Sequence, residues 1–292
     1  MAIILWSSIN SITLHVLNSR IMKRIILITL AAMLCCVMNA KKKEVDLILF
    51  CGQSNMAGRG EAEKAPEVKK GAGYEFRAFS DPTRLYEITG LFGSTEEGPY
   101  VNDHNKKSGG MVPAFVNAYH ELTGRTAICV SASVGGTQLK FWTENKDVYE
   151  EYQERFRKAE KYLKDNGYKI RHRYCVFCQG ESDADKGTST ESYREMLDNF
   201  CRVKMAGELG VEQTFIVTIG PYNGNNDDIQ KRYTAIRNTQ LRYCEESEYA
   251  TLASSDFCSF RMYMKDKYHY HQEAYNIVGQ FAGMRAALAA QH

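Results

Sequence analysis

The sequence predicts an α/β fold with a central parallel sheet of five strands. From Val45 onwards, short apolar segments alternate with longer amphipathic ones, which is typical of strand and helix units that build a parallel sheet. The short segments are apolar almost throughout, as expected of strands covered by helices on both faces. No internal repeat divides the 292 residues, of which 44% are hydrophobic. One domain with one large core is therefore expected.

Residues 1–40 precede this domain and have the pattern of a leader. From Met22, a basic start is followed by an apolar run and the small residue Ala40, as in a secretory signal peptide. The run is too short to span a bilayer as a stable helix. We therefore expect cleavage after Ala40, with Met22 as the initiator and residues 1–21 as an upstream over-extension. An uncleaved anchor is the alternative. Cleavage predicts a secreted or periplasmic protein with no membrane span.

Charge and cysteine content argue against two classes of protein. The chain has 37 Lys and Arg and 35 Asp and Glu, and three of the basic residues lie in residues 1–40, so residues 41–292 carry 34 − 35 = −1. No basic stripe interleaved with aromatic residues is present, so we expect no nucleic-acid partner. Residues 41–292 hold seven of the nine cysteines. This odd number does not imply a disulfide scaffold.

The predicted strands come first in each unit. They cover residues 45–50, 126–131, 173–177, 214–219 and 249–253. The predicted helices cover residues 113–122, 147–165, 188–209, 228–246 and 272–290. Thr188 and Glu191 form a predicted capping box at the start of the third helix. The long region 57–110, rich in turn-forming residues, is expected to lie over the site as a loop, with short strands near residues 74–79.

Four segments carry residues suited to chemistry, three after predicted strands and one before the last helix. Because the carboxyl ends of parallel strands meet at one edge of the sheet, these segments are expected to converge. They contain Ser54, the pair Gly135 and Gly136, Gln179, and Asp266 with His269. A serine nucleophile, an imidazole base, a carboxylate and backbone N–H donors suffice for acyl transfer. The spacing Asp266-x-x-His269 lets one turn hold both side chains, with Nε2 directed towards Ser54.

The four segments also contain sequence blocks with a family resemblance. They read GQSNM at residues 52–56, GGT at 135–137 with Trp142 shortly after, QGESD at 179–183 and DKYH at 266–269. In this order they resemble the SGNH (GDSL-like) hydrolase superfamily, and within it carbohydrate esterase family 6 and the sialate O-acetylesterase-like proteins. The resemblance covers nearly all of residues 41–292.

The resemblance implies a three-layer α/β/α sandwich, flavodoxin-like, that acts as a secreted serine esterase. Its substrate would be an O-acetylated carbohydrate of the acetylxylan or sialate type, hydrolysed through an acetyl-enzyme without metal or cofactor. Ser54 would be the nucleophile, His269 the base and Asp266 the acid that orients it. The oxyanion hole would comprise Ser54, Gly136 or Gly135, and Gln179. Gln53, Asn55 and Glu181 would support the site.

Several alternatives remain open at this point. Glu181 is a second candidate for the orienting carboxylate, and Cys178 stands where relatives often have histidine. A catalytically silent carbohydrate-binding protein on the same fold is the alternative function. Cys175 and Cys178, together with His269 and His271, suggest a metal site, but strand geometry places the two cysteines on opposite faces. Trp142 belongs either to the core or to a sugar-stacking platform. His172 has no carboxylate nearby in the sequence and is expected to be solvated.

Overall fold

The computed structural model describes residues 43–290. The predicted signal peptide and the cleavage after Ala40 lie outside the described residues. Between residues 43 and 290, none of the helices combines the length and the apolar character needed to cross a membrane.

The centre of the fold is a seven-stranded sheet. Its strands in chain order are β1 (Lys43–Gly52), β2 (Gly73–Arg77), β3 (Asp81–Glu87), β4 (Thr126–Ser133), β5 (Tyr168–Cys178), β6 (Gln213–Val217) and β7 (Ala250–Ser254). The spatial order is β3-β2-β4-β1-β5-β6-β7. β4 pairs in parallel with β1 and β2, and β6 pairs in parallel with β5 and β7. The antiparallel β2–β3 pair lies at one edge.

The predicted α/β class is confirmed, but the predicted number of five strands is wrong. Both additional strands lie in the region 57–110 that was expected to be mainly loop. β2 coincides with the short strand expected near residues 74–79. β3 begins with Asp81 and Pro82 and is mostly exposed, as an edge strand can be because only one side of it pairs. It therefore lacks the apolar run that revealed the central strands.

Helices cover both faces of the sheet. They are α1 (Ser54–Ala57), α2 (Val112–Thr123), α3 (Leu139–Thr143), α4 (Lys146–Asp165), α5 (Glu181–Lys186), α6 (Thr190–Asp198), α7 (Asp227–Glu246) and α8 (Gln272–Ala289). Alternate residues of β1 enter different apolar clusters: Leu47 and Leu49 pack with α4, α6 and α7, whereas Ile48 and Phe50 pack with α2 and α8. The three-layer sandwich is thus confirmed, and it follows from the two-residue period of a strand.

The predicted helix over residues 188–209 is divided into two parts. α6 ends at Asp198 and continues as a π-helix over Asn199–Glu208. Its N-cap is Ser189, whose side chain accepts a hydrogen bond from Ser192 N at 3.2 Å. The predicted cap, Thr188, instead donates its hydroxyl to Asp183 Oδ1 at 2.9 Å. The predicted cap is therefore wrong by one residue, because the Thr188 hydroxyl is used by the preceding loop.

Candidate active site

Ser54 stands at the turn that follows β1. The strand ends at Gly52, whose φ of +140° is one that side chains rarely adopt, and a Cβ there would lie 2.1 Å from Cys178 O. Only glycine therefore allows β1 to turn this close to β5. Gln53 N donates to Cys178 O at 2.9 Å, and α1 then begins at Ser54. The turn presents the hydroxyl of Ser54 at the carboxyl edge of the sheet.

The structure brings Ser54, His269 and Asp266 together. Ser54 Oγ lies 2.9 Å from His269 Nε2, and His269 Nδ1 lies 2.8 Å from Asp266 Oδ2. The two contacts use opposite sides of the imidazole ring. This is the geometry in which a carboxylate holds the proton on Nδ1 and leaves Nε2 to accept the serine proton.

Local hydrogen bonds hold Asp266 in its ionised form. Its Oδ1 accepts from the backbone N–H groups of Tyr268 at 2.7 Å and His269 at 2.8 Å. Burial by itself would raise the pKa of Asp266, but these N–H bonds and the His269 ring outweigh burial and lower the pKa. Asp266 is therefore a carboxylate that can accept a proton-bearing imidazole nitrogen, and it is the acid that contacts His269.

Gly135 and Gly136 form a turn after β4, and their N–H groups differ in use. Gly135 N donates to Asp103 Oδ1 at 2.7 Å. Within residues 43–290, the N–H groups of Ser54 and Gly136 have no acceptor in the protein. Gly136 has a φ of +75°, a left-handed conformation that glycine adopts without steric cost. Of the two glycines that the sequence offered, Gly136 is the one with a donor left for a ligand.

Gln179 does not reach the site in the way that the family resemblance implied. Its side chain is fully buried, and Nε2 donates to Asp183 Oδ2 at 2.6 Å and to Thr137 O at 3.0 Å. It is absent from the residues that line the cavity beside Ser54. The amide is thus used by a carboxylate and by the carbonyl of the residue that follows Gly136, so this arrangement does not fit the expected role of an oxyanion donor.

Asn55 connects the serine turn to the histidine loop. Its Nδ2 donates to Glu181 Oε1 at 2.6 Å and to Tyr268 O at 3.1 Å, while its Oδ1 accepts from Tyr275 OH at 2.7 Å. Tyr268 directly precedes His269. Asn55, which directly follows Ser54, therefore fixes the position of His269 relative to Ser54.

Glu181 is held by Asn55, and between residues 43 and 290 it forms no hydrogen bond with the imidazole of His269. Its Oε2 is buried and has no hydrogen-bond partner among the described residues. Burial raises the pKa of Glu181 to about 7, against the lowering effect of the Asn55 bond. Of the two carboxylates that the sequence left open, Asp266 is the one in contact with the histidine.

Gln53 supports the site from the side of α5. Its Oε1 accepts from Gly180 N at 3.2 Å and from Ser182 N at 3.3 Å. These contacts tie the start of α5 to the residue before Ser54. Gln53 also lines the cavity.

The cavity beside Ser54 has a volume of about 350 Å³. Six of its lining residues were singled out from the sequence: Gln53, Ser54, Gly135, Gly136, Glu181 and His269. Six others were not: Arg59, Asp103, Lys106, Ser182, Asp185 and Tyr268. Arg59, Asp103 and Lys106 come from the region 57–110, where no motif was readable. The sequence signal for them was the expectation that this region lies over the site, which did not single out individual residues.

Other residues singled out from the sequence lie away from the cavity. Trp142 is completely buried, and its Nε1 donates to Thr137 Oγ1 at 3.1 Å, so it is a core residue. Cys175 and Cys178 enter the clusters on opposite faces of the sheet, as predicted. All seven cysteines of the described residues are free thiols.

Two other histidines that were singled out from the sequence, His172 and His271, pair with glutamates. His172 Nδ1 lies 2.8 Å from Glu212 Oε2, so the side chain that was expected to be solvated has a carboxylate partner 40 residues away in the sequence. Glu212 precedes β6 and reaches His172 because β5 and β6 are neighbours in the sheet. His271 is the N-cap residue of α8, at the predicted helix start, and its Nδ1 lies 2.9 Å from Glu61 Oε1.

Comparisons with known proteins agree with this fold. A protein of Arabidopsis thaliana has a similar solved structure, with 21% identity and a TM-score of 0.64 over 85% of this chain and 99% of that chain. A carbohydrate acetylesterase from Xanthomonas citri has 15% identity and a TM-score of 0.53 over 85% of this chain and 56% of that one. No curated protein matches the sequence significantly.

A protein-family model matches most of the chain. The model described as carbohydrate esterase, sialic acid-specific acetylesterase, matches residues 44–287, which is most of the chain and includes all four sequence blocks. The chain therefore belongs to this family of carbohydrate acetylesterases, which are carboxylic ester hydrolases acting on acetylated carbohydrates.

Proposed function

We propose that the protein is a serine esterase that removes O-acetyl groups from a carbohydrate through an acetyl-enzyme intermediate. The observation that carries the proposal is the continuous pair of contacts from Ser54 Oγ to His269 Nε2 at 2.9 Å and from His269 Nδ1 to Asp266 Oδ2 at 2.8 Å. A serine hydroxyl becomes a useful nucleophile when a positioned base takes its proton.

In the first half-reaction, Ser54 Oγ attacks the ester carbonyl while His269 Nε2 takes the hydroxyl proton. The carbonyl oxygen becomes an anion that accepts hydrogen bonds from Ser54 N and Gly136 N. Each such donor can contribute about 3 kcal/mol to stabilisation of the transition state. The imidazolium, stabilised by Asp266, then returns the proton to the sugar oxygen as the ester bond breaks.

In the second half-reaction, water attacks the acetyl-enzyme. His269 takes a proton from the water, the same two N–H groups bind the second oxyanion, and the proton passes to Ser54 Oγ as acetate leaves. The enzyme returns to its starting state, and the sum of the two steps is hydrolysis of one ester by one water.

The choice of sugar is tested with a panel that contains O-acetylated sialic acids and acetylxylan. We expect acetate release by the purified protein from at least one member, and reaction of Ser54 with a fluorophosphonate probe. Ser54→Ala should lose both while its free energy of unfolding stays close to that of the wild type. Acetate release by Ser54→Ala near the wild-type rate would refute the assignment of the nucleophile.

A matched pair of histidine variants tests the base. His269→Ala should lower acetate release by at least about 100-fold, because the proton of Ser54 then has no acceptor. His271→Ala, two residues along, removes a histidine that pairs with Glu61 and does not line the cavity. It should stay within about threefold of the wild type, a change small beside that from loss of a general base.

We also propose that the protein acts outside the cytoplasm, since residues 22–40 have the composition of a secretory signal peptide. Terminal sequencing of the secreted protein should begin at Lys41. A terminus at Ala2 would contradict both the cleavage and the initiator at Met22.

A further inference from the structure

Two charged residues beside Ser54, Arg59 and Asp103, have no part in the proposed proton transfers. The Asp103 side chain is buried, with 3% of its surface exposed. Its two oxygens have different partners: Oδ1 accepts from Gly135 N at 2.7 Å, and Oδ2 accepts from Arg59 Nη2 at 2.6 Å. One carboxylate therefore joins the glycine turn to a cation on the serine segment.

Arg59 extends these connections to two more segments. Its Nη1 donates to Gly58 O at 2.8 Å and to Lys106 O at 2.9 Å. Its own carbonyl oxygen accepts from Lys265 Nζ, and Lys265 directly precedes Asp266. The serine segment, the region 57–110 and the histidine loop thus share Arg59 as a common partner.

The guanidinium of Arg59 also packs directly against the glycine turn. A Cβ placed on Gly135 would lie 2.5 Å from Arg59 Nη2 and 3.4 Å from Ser54 Cβ. Since 2.5 Å is closer than a carbon and a nitrogen can approach, a side chain at position 135 would have to displace the guanidinium of Arg59 from its place beside Asp103. Gly135 is therefore held on one side by a hydrogen bond and on the other by close packing.

We propose that Arg59 and Asp103 are positioning residues that orient the oxyanion-binding turn of the esterase. Asp103 holds the N–H of Gly135, so the turn is fixed with the N–H of Gly136 directed to the ligand. Two adjacent glycines have wide backbone freedom, and without the ion pair they would adopt other orientations. The inference rests on the proposed function, because an oriented N–H matters only if an oxyanion forms.

The ion pair is suited to this role because it is largely buried, with 15% of the Arg59 side chain and 3% of the Asp103 side chain exposed. A carboxylate and a guanidinium that are buried together hold each other rigidly, and removal of one leaves the other without compensation. The alternative is that Arg59 binds the sugar directly. The two roles differ in what they predict for a substrate that contains no sugar.

The test compares Asp103→Ala, Asp103→Asn, Arg59→Ala and the double variant in the full chain. The substrates are 4-nitrophenyl acetate, which has no sugar, and the best glycan of the panel. We expect Asp103→Ala to lower kcat on both substrates by about 10–100-fold with KM changed by less than about threefold, since a misplaced donor affects the transition state. Asp103→Asn, which keeps an acceptor for Gly135 N, should recover part of the loss.

The double variant should be no slower than the slower single variant, because both substitutions remove the same contact. Glu97→Ala is the matched control: Glu97 Oε1 accepts from Asn105 N at 2.6 Å, which is also a carboxylate-to-backbone bond in the region 57–110, but Glu97 does not line the cavity. It should keep wild-type kcat on both substrates.

Three results would overturn the inference. The first is a wild-type kcat in Asp103→Ala, and the second is additive losses of kcat in the double variant. The third is a change in the variants that is confined to KM for the glycan, which would make Arg59 a sugar contact. Should Asp103→Ala fail to fold, as judged by its circular dichroism, Asp103→Asn and Arg59→Ala decide by the same criteria. In each case a wild type that releases acetate and an inactive Ser54→Ala show that the proposed function stands while the inference fails.

Discussion

Glu181→Gln should make the protein more stable at neutral and alkaline pH, and the gain should vanish in acid. Glu181 is buried, with one oxygen bonded to Asn55 and the other unpartnered. Glutamine has the same shape, keeps an oxygen that can accept from Asn55 Nδ2, and resembles the protonated acid. The substitution therefore removes the cost of burying a charge and little else.

The size of the effect follows from the pKa. Burial raises the pKa of Glu181 from 4.5 to about 7 in the folded protein. Between these two values the folded state binds more protons than the unfolded state, so the stability of the wild type falls as the pH rises through this window. A shift of this size corresponds to about 3 kcal/mol in the free energy of unfolding. Below the unfolded pKa, wild type and variant should be equally stable.

Urea unfolding of both proteins at pH values from 4 to 9 measures this difference. We expect the variant to gain about 3 kcal/mol over the wild type as the pH passes from acid to above 7. Glu150→Gln, on the exposed face of α4, is the control and should change the free energy of unfolding by no more than about 0.5 kcal/mol at any pH. If the difference in the free energy of unfolding between Glu181→Gln and the wild type does not vary with pH, burial of the Glu181 charge does not destabilise the protein and the argument is refuted.

Three further predictions concern other parts of the site. Asp266→Asn should lower kcat for acetate release by about 100-fold or more, because the correct imidazole tautomer is lost. In the same assay near pH 6, the kcat of Glu181→Gln should stay within about threefold of the wild type. A larger loss in Glu181→Gln than in Asp266→Asn would make Glu181 the orienting acid. Gln179→Ala should lower both kcat and the free energy of unfolding, the latter by about 1–3 kcal/mol as measured in urea, because Asp183 and Thr137 O lose a buried donor. Trp142→Ala should cost about 3–5 kcal/mol in thermal or urea unfolding, without the isolated rise in KM for glycans that loss of a sugar-stacking platform would cause.

The central strands and the reacting residues could be predicted because their signals are local. A strand that is covered on both faces must be apolar along its length, which revealed β1 and β4. The proposed base and its carboxylate lie three residues apart, so one turn brings them together whatever surrounds it. Such patterns depend on neighbouring residues and are visible in a single sequence.

The features that were missed depend on partners that the local sequence pattern does not identify. β3 is defined by pairing with β2 and not by burial. Thr188 lost its predicted role as a cap because Asp183 accepts its hydroxyl. The resemblance implied that Gln179 donates to the oxyanion, but its Nε2 donates to Asp183 Oδ2 and Thr137 O. In each case the local sequence pattern did not determine the hydrogen-bond partner, which depends on the folded structure.

The residues proposed to react are visible in the local sequence, whereas those proposed to position them are not. The four sequence blocks contain Ser54, Gly136, Asp266 and His269, but nothing in the blocks determines which glycine N–H is free. That is decided by Asp103, 32 residues before Gly135 in the chain, and no periodicity relates the two. A chain that has all four blocks but an apolar residue in place of Asp103 would retain the proton relay and lose the orientation of the oxyanion donor. The blocks therefore predict the type of reaction, whereas its rate depends also on charged residues in a region where no motif is readable.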